Sequence, residues 1–235
     1  MVKLKGINVI FNKGTENEKI ALDKISLTIN EGDFVTIVGS NGAGKSTMLK
    51  VILGEVFPDT GIYMIDDSVM NGTNSYKLAK FIGRVYQDPN SGVFPKLTIK
   101  ENLILAGKKG MRYLGFSKIP EFGVELLTNL GIGLEKRLNT KAGHLSGGQK
   151  QSLAMVMSII SRPRLLLLDE HTASLDPKSA DNIMELTKRI NREYGITIMM
   201  ITHNMEFASK YGNRFIKLSE GTISEDTIRN HADAS

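Results

Sequence analysis

The sequence predicts an α/β protein, and three stretches of the 235-residue chain support this prediction. Residues 34–38 form a short, apolar, β-branched run that is typical of a buried strand, and a glycine-rich loop and a helix-forming stretch follow it. Residues 165–168 form a second apolar run, which ends at two acids. Residues 21–29 instead alternate apolar and polar side chains, as a half-exposed antiparallel strand does. We therefore expect a core with a mostly parallel sheet and an N-terminal antiparallel β subdomain.

The N-terminal subdomain is predicted from two strands, at residues 3–10 and 21–29, which the polar loop from Asn12 to Lys19 connects. Phe11 lies at the end of the first strand. An aromatic ring at this position can stack on a nucleotide base, because every base has a π-face. The ring can equally be a core or turn aromatic, and its spacing favours neither role.

The loop at Gly39–Thr47 matches the phosphate-binding pattern G-x-x-x-x-G-K-[ST]. Its residues are Gly39, Ser40, Asn41, Gly42, Ala43, Gly44, Lys45, Ser46 and Thr47. The glycines let the backbone approach an oxyanion closely, and successive N–H groups point inward at the positive end of a helix. Lys45 adds a charge for the β- and γ-phosphates, and the Ser46 hydroxyl can ligate Mg²⁺. The loop therefore predicts a nucleoside triphosphate site. The alternative is a glycine-rich turn before an ordinary helix, and the preceding strand and the Lys-Ser pair argue against it.

The segment after the loop continues the α/β pattern. We predict a helix over residues 46–53 with Gly54 as its C-cap, and short strands at residues 62–65 and 82–86. Gln87 follows the second of these strands directly. A strand end that faces a phosphate site is where a polar ligand is expected, and an amide can contact a metal or a water.

Residues 88–160 differ in character from the flanking sequence and predict an inserted α-helical subdomain. Helical stretches at residues 98–107 and 124–130 alternate with Gly- and Lys-rich loops. We interpret this segment as an insertion in one domain, whose core comprises about residues 1–87 and 161–235.

A second helix start with an affinity for anions is predicted at Leu145–Gln149, which precedes a helix over residues 150–160. Ser146 is a plausible N-cap, and Gly147 and Gly148 expose backbone N–H groups. The alternative is an ordinary helix cap.

The acids that end the run Leu165–Glu170 are candidate catalytic groups. At the carboxyl end of a buried strand, Asp169 would hold Mg²⁺ and Glu170 would orient or deprotonate a water. The alternative is a surface acidic pair. A further helix is predicted from the N-cap Asp176 and Pro177 to about Tyr194.

The last part of the chain predicts a buried strand at residues 196–201, which His203 follows closely. A histidine there can hydrogen-bond a γ-phosphate or the attacking water, or it can be structural. Residues 215–218 and 222–224 predict a small hairpin, and residues 230–235 are expected to fray.

Composition narrows the possible functions. Hydrophobic residues make up 41% and charged residues 23% of the chain, as in ordinary globular proteins. No apolar run approaches the ~18 residues of a membrane-spanning helix, and no signal-peptide pattern is present, so a cytosolic location is expected. The net charge is +5 and there are no cysteines, which excludes disulfides and cysteine-ligated metals. No basic run with interleaved aromatics occurs, so we expect no nucleic-acid partner.

This ordered set of motifs resembles the ATP-binding cassette (ABC) family, the ATPase subunits of ABC transporters, over about the whole chain. The matching motifs are Walker A at Gly39–Thr47, the Q-loop at Gln87, the signature motif at Leu145–Gln149, Walker B and the catalytic glutamate at Leu165–Glu170, the D-loop around Ser174–Asp176, and the switch histidine at His203. The signature motif is the discriminating element, because other Walker A proteins lack it.

The resemblance implies a P-loop NTPase (RecA-like) core that uses ATP and Mg²⁺. It assigns catalytic roles to Glu170, His203 and Gln87, metal contacts to Ser46, Gln87 and Asp169, and base stacking to Phe11. It also implies two copies in a head-to-tail dimer, in which Ser146, Gly147, Gly148 and Gln149 of one copy cover the nucleotide of the other.

Other partners follow from the same resemblance. An integral membrane permease would dock on about residues 88–144, where Val93, Phe94 and Pro95 are the candidate exposed contacts, and would hold the chain at the inner face of the cell membrane. An extracytoplasmic solute-binding protein is possible in the same system.

Two departures from the family pattern narrow the resemblance. His171 replaces the usual Pro after the catalytic Glu, and Ala173–Asp176 permutes the commoner Ser-Ala-Leu-Asp. These features are similar to a subgroup of bacterial importer ATPases, some of which are proposed to carry aromatic amino acids. A soluble ABC ATPase of the iron–sulfur assembly type is the alternative. A P-loop small-molecule kinase would not need Leu145–Gln149.

Overall fold

The computed structural model describes residues 1–108 and 118–229, and the chain divides into two compact units. The first unit combines Met1–Leu78 with the chain from Thr197 onward, and the second comprises Ala79–Ile196. The predicted fraying of residues 230–235 lies outside the described residues, as do residues 109–117 of the predicted insertion.

The helices and strands are as follows. In chain order they are β1 (Val2–Phe11), β2 (Lys19–Ile29), β3 (Phe34–Gly39), α1 (Lys45–Ile52), β4 (Thr60–Ile65), β5 (Ser68–Val69), α2 (Ser75–Leu78), β6 (Ile82–Val85), α3 (Ile99–Gly107), α4 (Glu121–Asn129), α5 (Gly147–Ile159), β7 (Leu165–Asp169), α6 (Pro177–Tyr194), β8 (Thr197–Ile201), α7 (Met205–Lys210), β9 (Arg214–Ser219) and β10 (Thr222–Ile228), with single 3₁₀ turns at Glu135–Arg137 and Ala142–His144.

The first unit contains an antiparallel sheet with the strand order β2-β1-β4-β5. In β2 the burial alternates over residues 25–29, as the sequence predicts. This regularity breaks at Lys24, which has a φ of 48°. The predicted N-terminal antiparallel subdomain is therefore confirmed.

The first unit also contains the strand run β10-β9-β3-β8, in which β3 is parallel to both β9 and β8. Residues 34–38 of β3 and all of β8 are buried, which explains why their sequences are mostly apolar. Val38, Ala208 and Phe215 form a small core cluster beside β3. β3 thus lies between two parallel strands, and the loop that precedes α1 follows its carboxyl end.

In the second unit, β6 and β7 pair in parallel and α5 packs against β6 and against α3, α4 and α6. Gly83 permits the close approach of α5, since a Cβ on this residue would lie 2.6 Å from the carbonyl oxygen of Ser158. The carboxyl ends of β6 and β7 therefore lie at the same edge of this pair, so the segments that follow Val85 and Asp169 leave the sheet side by side.

The predicted elements are confirmed, with shifted ends. Helix α5 begins at Gly147, three residues before the predicted start, because Ser146 caps it and the two glycines adopt helical geometry. The short helices α2 and α7 are not predicted from the sequence, since four to six residues carry too little periodicity. No helix among residues 1–108 and 118–229 is long and apolar enough to cross a membrane.

Candidate nucleotide site

In the first unit, the phosphate-binding loop connects β3 to α1 and has a backbone that requires glycine at its end. Gly44 is the N-cap of α1 and has a φ of 103°, a conformation that side-chain-bearing residues rarely adopt. A Cβ on Gly44 would lie 2.7 Å from the carbonyl oxygen of Ala21 and 2.9 Å from Leu22 Cδ2. The loop is therefore pressed against β2, and its position depends on the absence of a side chain at residue 44.

Lys45 is buried, and its side chain folds back over this loop. Its Nζ donates to the carbonyl oxygens of Gly39 at 2.7 Å and Ser40 at 2.9 Å. An ammonium on a flexible stem is thus held at the loop beside the N-terminus of an eight-residue helix. Both features favour a negative charge at this place.

The other predicted binding residues of the first unit lie at strand and helix ends. Ser46 is exposed and Thr47 half-buried in the first turn of α1, and Ser40, Asn41 and Gly42 are exposed. Phe11 ends β1 with 39% of its surface exposed, which excludes the core alternative and leaves its ring accessible. His203 is exposed in the short segment between β8 and α7. Base stacking by Phe11 and phosphate binding by His203 stay predictions.

In the second unit, Asp169 is the last residue of β7 and its side chain is only 25% exposed. One guanidinium nitrogen of Arg84, from the neighbouring strand β6, lies 3.3 Å from Asp169 Oδ2. The guanidinium also lies over the ring of Tyr86, 4.5 Å from its centroid. The sequence interpretation missed Arg84. A charged residue inside an otherwise apolar predicted strand is the signal that marks it.

Glu170 begins the tight turn that follows β7. Its φ is 48°, which is uncommon for a residue other than glycine and marks a position held by its surroundings. Its carbonyl oxygen accepts a hydrogen bond from the Ala173 N–H at 2.9 Å, which closes the turn. The side chain is half-buried, so it leaves the strand end partly accessible to solvent.

His171 anchors the turn by its burial. The ring is fully buried, and Nε2 lies 3.3 Å from the Thr187 hydroxyl on α6. Burial lowers the pKa of His171 to about 3, so the imidazole is neutral at neutral pH. The sequence comparison with the family identified His171 as a departure, but not its contact with α6.

Gln151, on α5, connects the segment that follows β6 to the segment that follows β7. Its Nε2 donates to the carbonyl oxygens of Tyr86 at 3.0 Å and His171 at 2.7 Å, and the residue is completely buried. The Ser174 hydroxyl donates to the carbonyl oxygen of Gln87 at 3.0 Å. Two hydrogen-bonded bridges therefore join the segment around Gln87 to the turn that contains Glu170. Neither was predicted, because both join residues far apart in sequence.

The N-terminus of α5 is built by local hydrogen bonds. The Ser146 hydroxyl accepts from the Gln149 N–H at 3.3 Å, and the Gln149 side chain accepts from the Ser146 N–H at 3.1 Å, which together form a capping box. Asp176 caps α6 in a similar way, and hydrogen bonds from Ser179 lower the pKa of Asp176. Both predicted N-caps are confirmed. A Cβ on Gly148 would lie 3.0 Å from Ser179 Oγ, so the two helix starts pack closely.

One predicted exposed residue is buried. Val93 has 6% of its surface exposed, whereas Phe94 is 54% exposed and Pro95 is exposed. The loop packs closely on α5, since a Cβ on Gly92 would lie 2.6 Å from the Ala154 Cβ, and this packing turns Val93 inward. The prediction that Val93 is an exposed docking contact is therefore wrong.

Comparison with known proteins agrees with these features. A family model described as ABC transporter matches residues 22–173 of the chain. The chain is 39% identical over 227 residues to the tyrosine transport ATP-binding protein of Clostridioides difficile, and the match covers 95% of this chain and 90% of that protein.

Solved structures show the same similarity. The ATP-binding cassette MJ0796 of Methanocaldococcus jannaschii, in a dimeric post-hydrolysis state bound to ADP and Pi, has a TM-score of 0.81 and 34% identity, covering 98% of this chain and 99% of that chain. The structure of cbiO1 from Clostridium perfringens, part of the ABC transporter complex cbiONQ, has a TM-score of 0.85 and 28% identity, covering 97% and 88%.

The fold, the phosphate loop and these similarities define an ATPase with a P-loop NTPase core. The chain belongs to the ABC transporter family, and it is an ATP-binding and ATP-hydrolysing transporter subunit.

Proposed function

We propose that this chain powers a membrane importer for a small solute, with an amino acid as the leading candidate class. The observation that carries the proposal is the 39% identity, over nearly the full length of both chains, to a protein named as a tyrosine transport ATP-binding protein. The unusual sequence Glu170-His171-Thr172-Ala173, which is similar to one subgroup of importer ATPases, supports it.

ATP would bind to the loop at Gly39–Thr47, with Lys45 opposite the β- and γ-phosphates and the backbone N–H groups around them. The support is the burial of Lys45 and its two hydrogen bonds to loop carbonyls, which already place the ammonium at the loop. Phe11, exposed at the end of β1, would stack on the base.

The chemistry of the residues predicted to hold Mg²⁺ suits this ion. Ser46, Gln87 and Asp169 offer a hydroxyl, an amide and a carboxylate oxygen, which are the hard donors that Mg²⁺ takes together with nucleotide phosphates. No group of three or more His, Cys, Asp or Glu that could hold a metal occurs in the described part of the chain. A nucleotide-dependent site needs only one or two carboxylates, since phosphates and waters supply the rest. When bound, Mg²⁺ neutralises charge on the phosphates.

Glu170 would act as the base that orients and deprotonates the attacking water. Its support is its place at the end of β7, in a turn with a φ of 48° that the Ala173 N–H closes. Gln87 would orient the same water, and His203 would contact the γ-phosphate. The bridges from Gln151 and Ser174 support a coordinated role for Gln87 and Glu170.

A second copy of the chain would complete each site. Ser146, Gly147, Gly148 and Gln149 of one copy would cover the nucleotide held by the other. Ser146 and Gly147 are exposed at the start of α5, so the Ser146 hydroxyl and the Gly147 N–H would face a γ-phosphate that approaches from outside. A homodimer would then contain two equal sites.

The membrane partner would be an integral permease that docks on about residues 88–144 and holds the chain at the inner face of the cell membrane. Phe94 and Pro95 are the exposed apolar residues that support this surface. A solute-binding protein would deliver the solute on the other side. The relatives reported above are transporter proteins and not iron–sulfur assembly factors, so that alternative is not carried further.

Glu170→Gln tests the mechanism. The amide keeps the size of the side chain but cannot serve as a base, so we expect ATP binding to persist and hydrolysis to slow by several orders of magnitude. An ATP-held dimer should then accumulate, because ATP binds the closed state better than the open one. Size exclusion with and without ATP measures this shift. Glu193→Gln, which changes an exposed carboxylate on α6, is the matched control.

Full ATPase activity in Glu170→Gln would contradict the catalytic role. The importer role is tested separately: the chain should co-purify with an integral permease, and deletion should abolish energy-dependent uptake of an aromatic amino acid. Co-purification with soluble partners alone would contradict it.

A further inference from the structure

We propose that Arg84 is a built-in competitor of Mg²⁺ for Asp169: it neutralises this carboxylate in the nucleotide-free chain and sets the Mg²⁺ concentration that the site requires. The inference rests on the proposed metal-binding role of Asp169. Arg84 and Asp169 belong to neighbouring parallel strands of the second unit, where residues 82–85 pair with residues 165–168.

The pair is shielded from solvent on both sides. The Arg84 side chain is 19% exposed and the Asp169 side chain 25% exposed, so their attraction is screened less than that of a surface pair. A half-buried carboxylate without a cation nearby would be unfavourable. Arg84 therefore supplies the charge that Asp169 requires before any metal arrives.

The contact is also weak enough to be displaced. The 3.3 Å separation between the guanidinium nitrogen and Asp169 Oδ2 exceeds the ~2.7–2.9 Å of strong charge-assisted hydrogen bonds. The guanidinium is a cation, so it competes with a metal ion for the same carboxylate. A divalent cation at Asp169 must either displace Arg84 or lie beside it and be repelled.

Two contacts hold Arg84 independently of Asp169. Its guanidinium lies over the ring of Tyr86, and the Ser158 hydroxyl of α5 donates to its backbone carbonyl at 2.8 Å. The backbone of Arg84 is thus fixed while the charged end rests on an aromatic face that is favourable for a cation. Loss of the contact with Asp169 does not require loss of the stacking.

The consequence is a preference for a metal that arrives with a nucleotide. A cation without nucleotide gains few ligands besides Asp169. A cation that is bound to the triphosphate brings phosphate oxygens as ligands, and these offset the repulsion from Arg84. Arg84 therefore discriminates against metal binding in the absence of nucleotide.

The test measures how much free Mg²⁺ is needed for tight binding of a fluorescent ATP analogue to the full chain. Removal of the charge in Arg84→Met should lower the half-saturating Mg²⁺ concentration by about two- to fivefold, the range that corresponds to a partly exposed ion pair. Nucleotide affinity in EDTA should not change. Arg84→Gln, which keeps a polar side chain, should shift in the same direction, and Arg84→Lys should stay near the native value.

Lys80→Met is the matched control, because Lys80 is an exposed cation near the start of the same strand and lies over the Phe81 ring, 4.9 Å from its centroid. It should leave the Mg²⁺ requirement unchanged. An unchanged or higher requirement in both Arg84→Met and Arg84→Gln would overturn the proposal, since Arg84 would then have no role or would position Asp169 for the metal. Absence of nucleotide binding in the native chain would instead contradict the proposed function.

Discussion

The phosphate loop of the first unit and the acidic strand end of the second unit are built in different ways. The contacts within the loop join residues close in sequence: Gly44 provides the left-handed turn, and Lys45 binds carbonyls five and six residues before it. The strand end is organised by residues far apart in sequence, such as Arg84 with Asp169 and Gln151 with the carbonyls of Tyr86 and His171. One short sequence motif can therefore specify a binding site for phosphate, whereas the position of a catalytic acid depends on tertiary contacts within the second unit.

Substitution of Lys45 by Ala should cause the largest change in free energy, seen as a loss of ATP affinity. It tests the contacts between residues close in sequence that organise the phosphate loop. We expect ATP affinity to fall by about 3–6 kcal/mol, because hydrogen bonds to charged groups contribute about 1.5–3 kcal/mol each and the ammonium is expected to contact two phosphates. Calorimetric titration with ATP measures the loss. Lys50→Ala, on an exposed position of the same helix, should bind normally. Unchanged ATP affinity in Lys45→Ala would remove Lys45 from the site.

Substitution of Gln151 by Met tests the contacts between residues far apart in sequence that organise the acidic strand end. Met has a similar volume but leaves two carbonyl groups without their donor, so the free energy of unfolding should fall by about 2–6 kcal/mol, given about 1–3 kcal/mol for each unsatisfied buried group. Urea unfolding measures this change. In conditions where the variant is folded, kcat should fall while ATP affinity stays the same, because the strand end and not the phosphate loop loses its support.

Ser152→Ala is the control for Gln151→Met. Its hydroxyl donates to the Gly148 carbonyl within α5, so the free energy of unfolding should change by less than about 0.5 kcal/mol. Equal stability of Gln151→Met and the native chain would show that the bridge does not stabilise the second unit. A parallel loss of ATP affinity would show that the two regions are not independent.

This contrast also explains how far the sequence could predict the molecule. The caps at Ser146 and Asp176 are predicted correctly, because each joins a side chain to an N–H three residues later. The burial of Val93 is not, because it depends on the packing of a loop against α5. The same limit applies to Arg84 and Gln151, whose partners cannot be identified before the strand pairing is known.

The backbone of Glu170 illustrates a further limit. The motif places an acid after the strand, but no local signal predicts a positive φ at a glutamate. That conformation exists because the following residue is drawn into the interior, where His171 meets Thr187 and Gln151. Sequence alone therefore predicts which residue is the candidate base, and the tertiary contacts determine how it is held.

The smallest expected effect concerns His171 and appears only at acid pH. Burial lowers the pKa of His171 from 6.5 to about 3, so between these values the unfolded chain binds a proton that the folded chain does not. Stability is therefore complete above pH 6.5 and is lost as the pH falls from 6.5 toward 3. At pH 5.5 the loss from this group should be about 1.4 kcal/mol relative to pH 8, since one pKa unit corresponds to about 1.4 kcal/mol.

Carboxylates whose pKa is lowered in the folded chain, such as that of Asp176, also reduce the free energy of unfolding as the pH falls. The contribution of His171 must therefore be measured as the difference between two proteins. Urea unfolding of the native chain and of His171→Gln should be compared at pH 8 and pH 5.5. The glutamine can still hydrogen-bond Thr187 but cannot titrate, so the variant should be less stable at pH 8 and should lose about 1.4 kcal/mol less between the two pH values. Equal losses in the two proteins would mean that His171 is protonated in the folded chain at pH 5.5. The buried, neutral imidazole would then not be the anchor of the turn at Glu170, and the long-range contacts that support the strand end would be those of Arg84, Gln151 and Ser174.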